Sequence, residues 1–255
     1  MATGPSTVVL VSAPEALPGL DEAFRRRKVR LVRIPVLEFA PRPASLLKSA
    51  LQGFGAFDTL VLTSSEAVAT FVRPLAPVVR SQGSRMEVWA GGPSTARELR
   101  ALGFRRIYRA PGLGSIPLLD ALRRARPRSV VYPRSDRAGP NVAHTLRTRG
   151  DRVLDLVSYS VRPRTKLTLR ERNALSHASA WIVTSPSAIS ALREALGSSG
   201  LRSLSRATRV LVLGERTRRA AWGHGIRGAR SIGTVTTEGI TYYVARWLAH
   251  AADAR

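Results

Sequence analysis

The segment 181–189, WIVTSPSAI, reads as a buried strand that breaks at Thr184-Ser185 into the first turn of a helix, and LVLTSSEAV around Thr63-Ser64 reads the same way 121 residues earlier. The echo is not isolated. Gly92-Pro93-Ser94-Thr95 follows MEVWAG and Gly214-Glu215-Arg216-Thr217 follows RVLVL, which sets Thr95 and Thr217 122 residues apart. Gly103 and Gly225, at the ends of the two helices, keep that interval, as do the apolar runs beginning at Val8 and Val130. A repeat of about 122 residues is too long for a solenoid unit and the right size for half of a two-lobed chain. An internal duplication is therefore expected.

Strands alternate with helices through both copies. In the first, 8–11, 29–34, 59–62, 87–90 and 107–108 read as strands, with helices after Pro14, over 46–51, after Ser64, after Thr95 and over 118–124. In the second, 129–132, 153–157, 180–183, 209–213 and 231–232 read as strands, with helices over 142–148, after Ser185, after Thr217 and through Tyr243 and Trp247. This alternation implies parallel sheets covered on both faces. Pro35, Pro41 and Pro43 bound an extended stretch at 36–40, and the polar stretch 158–163 occupies the matching place in the second copy. Two connectors at matched positions point to a chain that crosses twice between lobes. Lobe one is then 1–36 plus 163–255 and lobe two is 40–158, although a tandem split near residue 125 fits the periodicity equally well.

Composition narrows the function classes. The chain has no cysteine, which removes disulfides, thiolate nucleophiles and sulfur metal sites and fits a reducing cytoplasm. No apolar run approaches the ~20 residues needed to span a bilayer, and the first strand begins near Thr7, so neither membrane nor signal peptide is expected. A net charge of +24, almost all arginine, calls for an anionic partner or reflects a coding bias towards arginine. The basic residues are spread along the chain, with one short run at Arg25-Arg26-Arg27-Lys28 and no aromatic array for stacking bases, so no specific nucleic acid is expected. No heptad pattern stands out, and a monomer is the default.

In open α/β sheets, ligands sit beyond the carboxyl ends of the strands, where helix N-termini present unpaired N–H groups. Thr63, Ser64, Ser94, Thr95, Thr184, Ser185, Ser187 and Thr217 all fall there. A single Ser or Thr at a helix start is ordinarily only a cap. Two such turns, each occurring twice, suit carboxylates or phosphates. Other apparatus is missing: there is no phosphate-binding GxxxxGKS loop, Gly91-Gly92-Pro93 is no dinucleotide fingerprint, and no GxSxG elbow occurs. His144, His177, His224 and His250 lack metal-ligand spacing, so neither metal nor cofactor is expected. Tyr159 lies in the second connector, where a side chain can either pack on a lobe or face a cleft.

Taken in order, FDTLVLTSSEAV, AGGPSTARELRALGF, VVYPRSDRAG, the Tyr159 strand, WIVTSPSAI, LGERTRRAA with Gly225, and the closing TEGI resemble the uroporphyrinogen-III synthase family over almost the whole chain. The resemblance implies two α/β lobes, each a parallel sheet flanked by helices in a flavodoxin-like arrangement, joined by a two-stranded connector with the active site in the cleft. It implies a substrate, hydroxymethylbilane, which loses water and closes with its terminal ring D inverted through a spiro intermediate, without cofactor or metal. Tyr159 matches the family's connector tyrosine and is expected to be catalytic. Thr63, Ser64, Ser94, Thr95, Ser185, Ser187 and Thr217 match positions expected to bind the substrate's carboxylates. Arg134 joins them as the duplicate of an arginine that the family carries after its first strand, where this chain has Ser12. Glu215 and Val161 also depart from the family's pattern. A bilobed anion-binding protein without catalysis, or a basic nucleic-acid-associated protein, would share parts of this sequence pattern.

Overall fold

The computed structural model describes residues 6–14, 16–81, 86–109, 115–123, 128–138, 141–234 and 236–252. In chain order the elements are β1 (Thr7–Ser12), α1 (Leu20–Arg25), β2 (Arg30–Pro35), β3 (Leu37–Pro41), α2 (Ala44–Phe54), β4 (Thr59–Leu62), α3 (Ser65–Ala67), α4 (Ala76–Ser81), β5 (Glu87–Ala90), α5 (Pro93–Ala101), β6 (Ile107–Arg109) and α6 (Ser115–Arg123). They continue with β7 (Ser129–Ser135), α7 (Asn141–Thr148), β8 (Arg152–Pro163), α8 (Leu169–His177), β9 (Ala180–Val183), α9 (Pro186–Ala207), β10 (Arg209–Val212), α10 (Glu215–Gly223), β11 (Arg230–Ser231) and α11 (Thr237–Ala252).

The strands form two sheets, ordered β11-β10-β9-β1-β2 and β3-β8-β7-β4-β5-β6. Read from β6, the second sheet runs β6-β5-β4-β7-β8, so β6, β5 and β4 stand where β11, β10 and β9 stand in the first, and β7 and β8 where β1 and β2 stand. Neighbouring strands are parallel at β1 with β2 and β9, at β10 with β9 and β11, at β4 with β5 and β7, at β5 with β6, and at β7 with β8. β3 is the exception. Val36 accepts from the Arg164 N–H and Ser158 from the Arg42 N–H, both at 2.9 Å, a pattern that only antiparallel strands give.

The chain divides into two units, residues 1–38 with 162–255, and 39–161. A tandem cut at residue 125 would pass through the second unit. Each unit has its own apolar core. In the first, Val8, Leu10, Phe24, Ile182, Leu211, Ile240 and Val244 pack together between the sheet and its helices. In the second, Val61, Leu118, Leu122, Val130, Tyr132, Val142 and Leu146 do so. The central strands are apolar on both faces and fully buried at 60–62 and 180–183, as covered parallel strands require.

Gly103 and Gly225 both end their helices at φ 87°, with the following N–H reaching back to Leu99 and Ala221 respectively. This left-handed cap is a conformation that side chains disfavour. Several elements differ from the sequence expectation, among them a helix after Pro14 that begins only at Leu20 and a helix after Ser64 that divides into α3, a π-helical turn at Val68–Val72 and α4. The 46–51 helix extends over Ala44–Phe54, and 153–157 and 158–163 are one strand, β8, on which Ser158 and Ser160 are buried. α8 was not anticipated, although its start carries a legible signal: Thr168 accepts from the Glu171 N–H while Glu171 accepts from the Thr168 N–H, a capping box. Arg124, the expected end of a helix, lies outside the described residues.

Glu171 has a second partner. Arg164 NH1 donates to Glu171 Oε1 and to the Pro35 carbonyl, both at 2.8 Å, and NH2 donates to Oε2 at 3.1 Å. The guanidinium thus fastens the ends of β8 and β2 to the start of α8. Burial alone would raise the Glu171 pKa, but the hydrogen bonds from Arg164 and Thr168 outweigh it and hold it below the ordinary range. The pair is less than one-fifth exposed on either side. Arg164→Ala is expected to cost about 2 kcal/mol in urea unfolding at pH 7. A lowered folded pKa contributes stability above about pH 4.3 that is lost as pH falls through the folded value. The difference between wild type and Arg164→Ala should therefore shrink between roughly pH 5 and 3.

Candidate functional site

At the carboxyl edge of the second sheet, β4 ends at Leu62 and Ser64 turns the chain into α3 from an extended conformation, with its Oγ accepting the Ala67 N–H at 3.3 Å. The same oxygen lies 2.9 Å from the Tyr159 hydroxyl. Tyr159 reaches it because of a bulge. Arg134 pairs with Val157 and Ser135 with Tyr159, so Ser158 is the extra residue on β8. In an unbroken register Ser135 would face Ser158, and the phenol would project to the other face.

The backbone on either side of the tyrosine is pinned by Asp136, whose N–H donates to the Tyr159 carbonyl at 3.0 Å and whose Oδ1 accepts the Val161 N–H at 2.9 Å. Phe39 meets the ring edge-on at 5.7 Å between centroids, and Ser135 stands opposite Tyr159 on β7. Tyr159 is only 5% exposed, and this burial pushes its pKa above the ordinary tyrosine value.

A second phenol stands beside it. Tyr132 on β7 is 2% exposed, and burial raises its pKa while the neighbouring Thr63 side chain opposes the rise. Tyr132 was not among the sequence candidates; its strand pattern marks it only as core, and the apolar neighbours Val130 and Val131 gave no polar cue.

Arg134 departs from the expectation of a cation free for substrate. Its Nε and NH2 engage both oxygens of Asp155, the latter at 3.1 Å, and NH1 donates to the carbonyls of Ser135 and Ala138. The hydrogen bonds with Asp155 raise its pKa and hold the guanidinium in place.

Ser94 and Thr95 lie in the first turn of α5, next to β4. Gly91 makes this possible, since its N–H donates to the Leu62 carbonyl at 2.8 Å and an added Cβ would stand 3.0 Å from the Thr63 Cα. Ser94 is half-buried and Thr95 buried. In the other unit, Ser185 caps α9 as Ser64 caps α3, its Oγ accepting the Ala188 N–H at 3.2 Å, while the Thr184 N–H donates to Val11. Ser187 is exposed on the first turn of α9, and Thr217 is buried on the first turn of α10. The structure thus brings Thr63, Ser64, Arg134 and Tyr159 to one sheet edge with Ser94 and Thr95 alongside, and places Ser185, Ser187 and Thr217 in the other unit. Among the described residues no group of three His, Cys, Asp or Glu side chains could hold a metal ion, and no helix is long and apolar enough to cross a membrane.

These features define an α/β protein with hydroxyl-bearing helix starts and two buried phenols at strand carboxyl ends. The family described as uroporphyrinogen-III synthase HemD matches the sequence over residues 19–241, and the chain belongs to that family. Its activity is that family's, a cyclising lyase reaction of porphyrin and heme biosynthesis. The fold agrees. A uroporphyrinogen III synthase structure from the extremely thermophilic bacterium Thermus thermophilus, a selenomethionine triple mutant, superposes with a TM-score of 0.60 at 17% identity, covering 98% of this chain and 100% of that one. The enzyme from Helicobacter pylori gives 0.60 at 18% identity, covering 95% and 99%. No curated protein sequence matches the chain.

Gly91→Ala should cost about 1–3 kcal/mol by forcing β5 away from Thr63, read as a lowered urea midpoint. Raised tyrosine pKa values predict an alkaline limit. The folded state holds both phenols neutral, so the stability this contributes is complete below about pH 10 and is lost as pH rises through the folded values. Tyr132→Phe should flatten the fall in urea midpoint above about pH 10.

Proposed function

We propose that the chain converts hydroxymethylbilane to uroporphyrinogen III, with the Tyr159 phenol as the proton donor that releases the substrate's hydroxyl. The observation that carries the reading is a phenol buried to 5% exposure, kept neutral by that burial and held by the Ser64 hydroxyl at a strand carboxyl edge. A neutral phenol can give its proton to the terminal hydroxymethyl oxygen as the C–O bond breaks, so that water leaves and the electron pair of the adjoining pyrrole nitrogen stabilises the cationic methylene. The substituted carbon of ring D then forms the new C–C bond, giving the spiro intermediate. Opening that intermediate and closing at the free ring D carbon inverts the ring, and the proton lost from that carbon restores the phenol. Bilane minus water balances.

Ring closure without inversion needs no enzyme, so positioning is the protein's main contribution. The substrate's eight carboxylates match the excess of basic over acidic residues, 41 against 17, and the amides at the starts of the helices. On this reading Ser94, Thr95, Ser185, Ser187 and Thr217 bind those carboxylates, each with a modest share. The matched strand orders, cap serines and glycine caps support an internal duplication of about 122 residues whose halves exchange strands to make lobes 1–36 plus 163–255 and 40–158, joined through β3 and β8. The protein works as a cytoplasmic monomer without cofactor, metal or nucleic acid.

The test is incubation with fresh hydroxymethylbilane, oxidation, and separation of uroporphyrin isomers. Type III above the spontaneous type I is expected, and type I alone from folded protein would contradict the reading. Tyr159→Phe should lower the rate of type III formation about 100-fold with an unchanged thermal midpoint.

A further inference from the structure

A phenol that has given up its proton can only accept hydrogen bonds, so whatever hydrogen bond remains at its oxygen comes from a neighbouring donor. At Tyr159 the placed donor is Ser64 Oγ at 2.9 Å, and the bulge sets Ser135, a second hydroxyl, opposite on β7. Ser64 Oγ is fixed by its second duty, accepting the Ala67 N–H as the cap of α3, so its hydroxyl proton points away from the helix. Ser135 is fixed by its place on the ladder beside Arg134, whose guanidinium holds the Ser135 carbonyl at 3.0 Å.

We infer that Ser64 and Ser135 are positioning residues for the cyclisation, acting through Tyr159 by aiming its phenol and donating to its oxygen once the proton has left, rather than by binding substrate carboxylates. The inference rests on the proposed role of Tyr159. It separates the two duplicated turns. Ser185 caps α9 as Ser64 caps α3, yet Leu10 and Leu37 stand 122 residues before Tyr132 and Tyr159. With no tyrosine at the matching positions, Ser185 is left for the substrate. One copy of the turn serves the reacting centre and the other serves binding.

Steady-state rates of type III formation test this in wild-type and Tyr159→Phe backgrounds. Ser64→Ala and Ser135→Ala are expected to lower kcat about tenfold with KM within about twofold of wild type. Each should add less than about a twofold effect when Tyr159 is already Phe. Ser185→Ala should instead raise KM and leave kcat near wild type. Ser64→Asp separates the roles within one residue. Aspartate still caps α3 but offers no proton to the phenol, so the variant should keep its thermal midpoint and be at least as slow as Ser64→Ala, while Ser64→Thr should retain most of the rate. A Ser64→Ala enzyme with raised KM and unchanged kcat, or one equally impaired with and without the Tyr159 hydroxyl, would overturn the inference. Wild-type protein that makes no excess of type III would instead overturn the reaction itself.

Discussion

A phenol with one-twentieth of its surface exposed has lost most of its hydration, so its oxygen gains from partners in the chain or bears the cost of desolvation. Tyr159 finds one in Ser64, and much of the second unit is arranged to make that pairing geometrically possible. The bulge at Ser158 turns the side chain to the correct face, Asp136 holds the backbone on both sides, and Gly91 lets β5 come close enough to support the turn that carries Thr63 and Ser64. The same burial that demands partners also keeps the phenol protonated. On the proposed reading, structural necessity and proton-donor chemistry share one cause.

Electrostatics are divided between local and global effects. Of the arginines near the sheet edge, Arg134 is committed to Asp155, and elsewhere Arg149 is committed to Asp151 and Arg164 to Glu171. Such pairs fix structure and add little net field. The attraction for a polycarboxylate comes from the surplus: 41 basic against 17 acidic residues leave a net charge of +24. A surplus spread along the chain raises the local concentration of an anionic substrate without specifying its pose. On the proposed reading, the pose is left to short, directional groups, the hydroxyls and amides at helix starts.

The parts of the fold legible in the sequence were those written in local chemistry. Apolar runs such as 8–11 and 180–183 read as covered strands, Ser64 and Ser185 as caps, and Gly103 and Gly225 as helix ends, and each of these depends on only a few neighbouring residues. Features set by partners distant in sequence were not legible. The bulge depends on register between β7 and β8, the capture of Arg134 depends on Asp155 21 residues away, and Tyr132 looks like core because it is core, apart from one oxygen. α8 is a different case: its Thr168-Glu171 capping box was in the sequence, but only Leu175 of its residues is buried, so it lacked the apolar stripe that draws attention to a helix.

The central claim is that Tyr159 is a neutral, hydroxyl-held phenol across the working pH range. NMR titration of protein labelled with ¹³C at the tyrosine Cζ, with Tyr159 assigned from the Tyr159→Phe spectrum, measures this directly. The account predicts that the Tyr159 resonance stays at its protonated position past the ordinary tyrosine pKa of about 10, and that it titrates higher still in Ser64→Ala, which removes a donor to the phenolate. A Tyr159 resonance that ionises at or below about pH 10, with no response to Ser64, would contradict it.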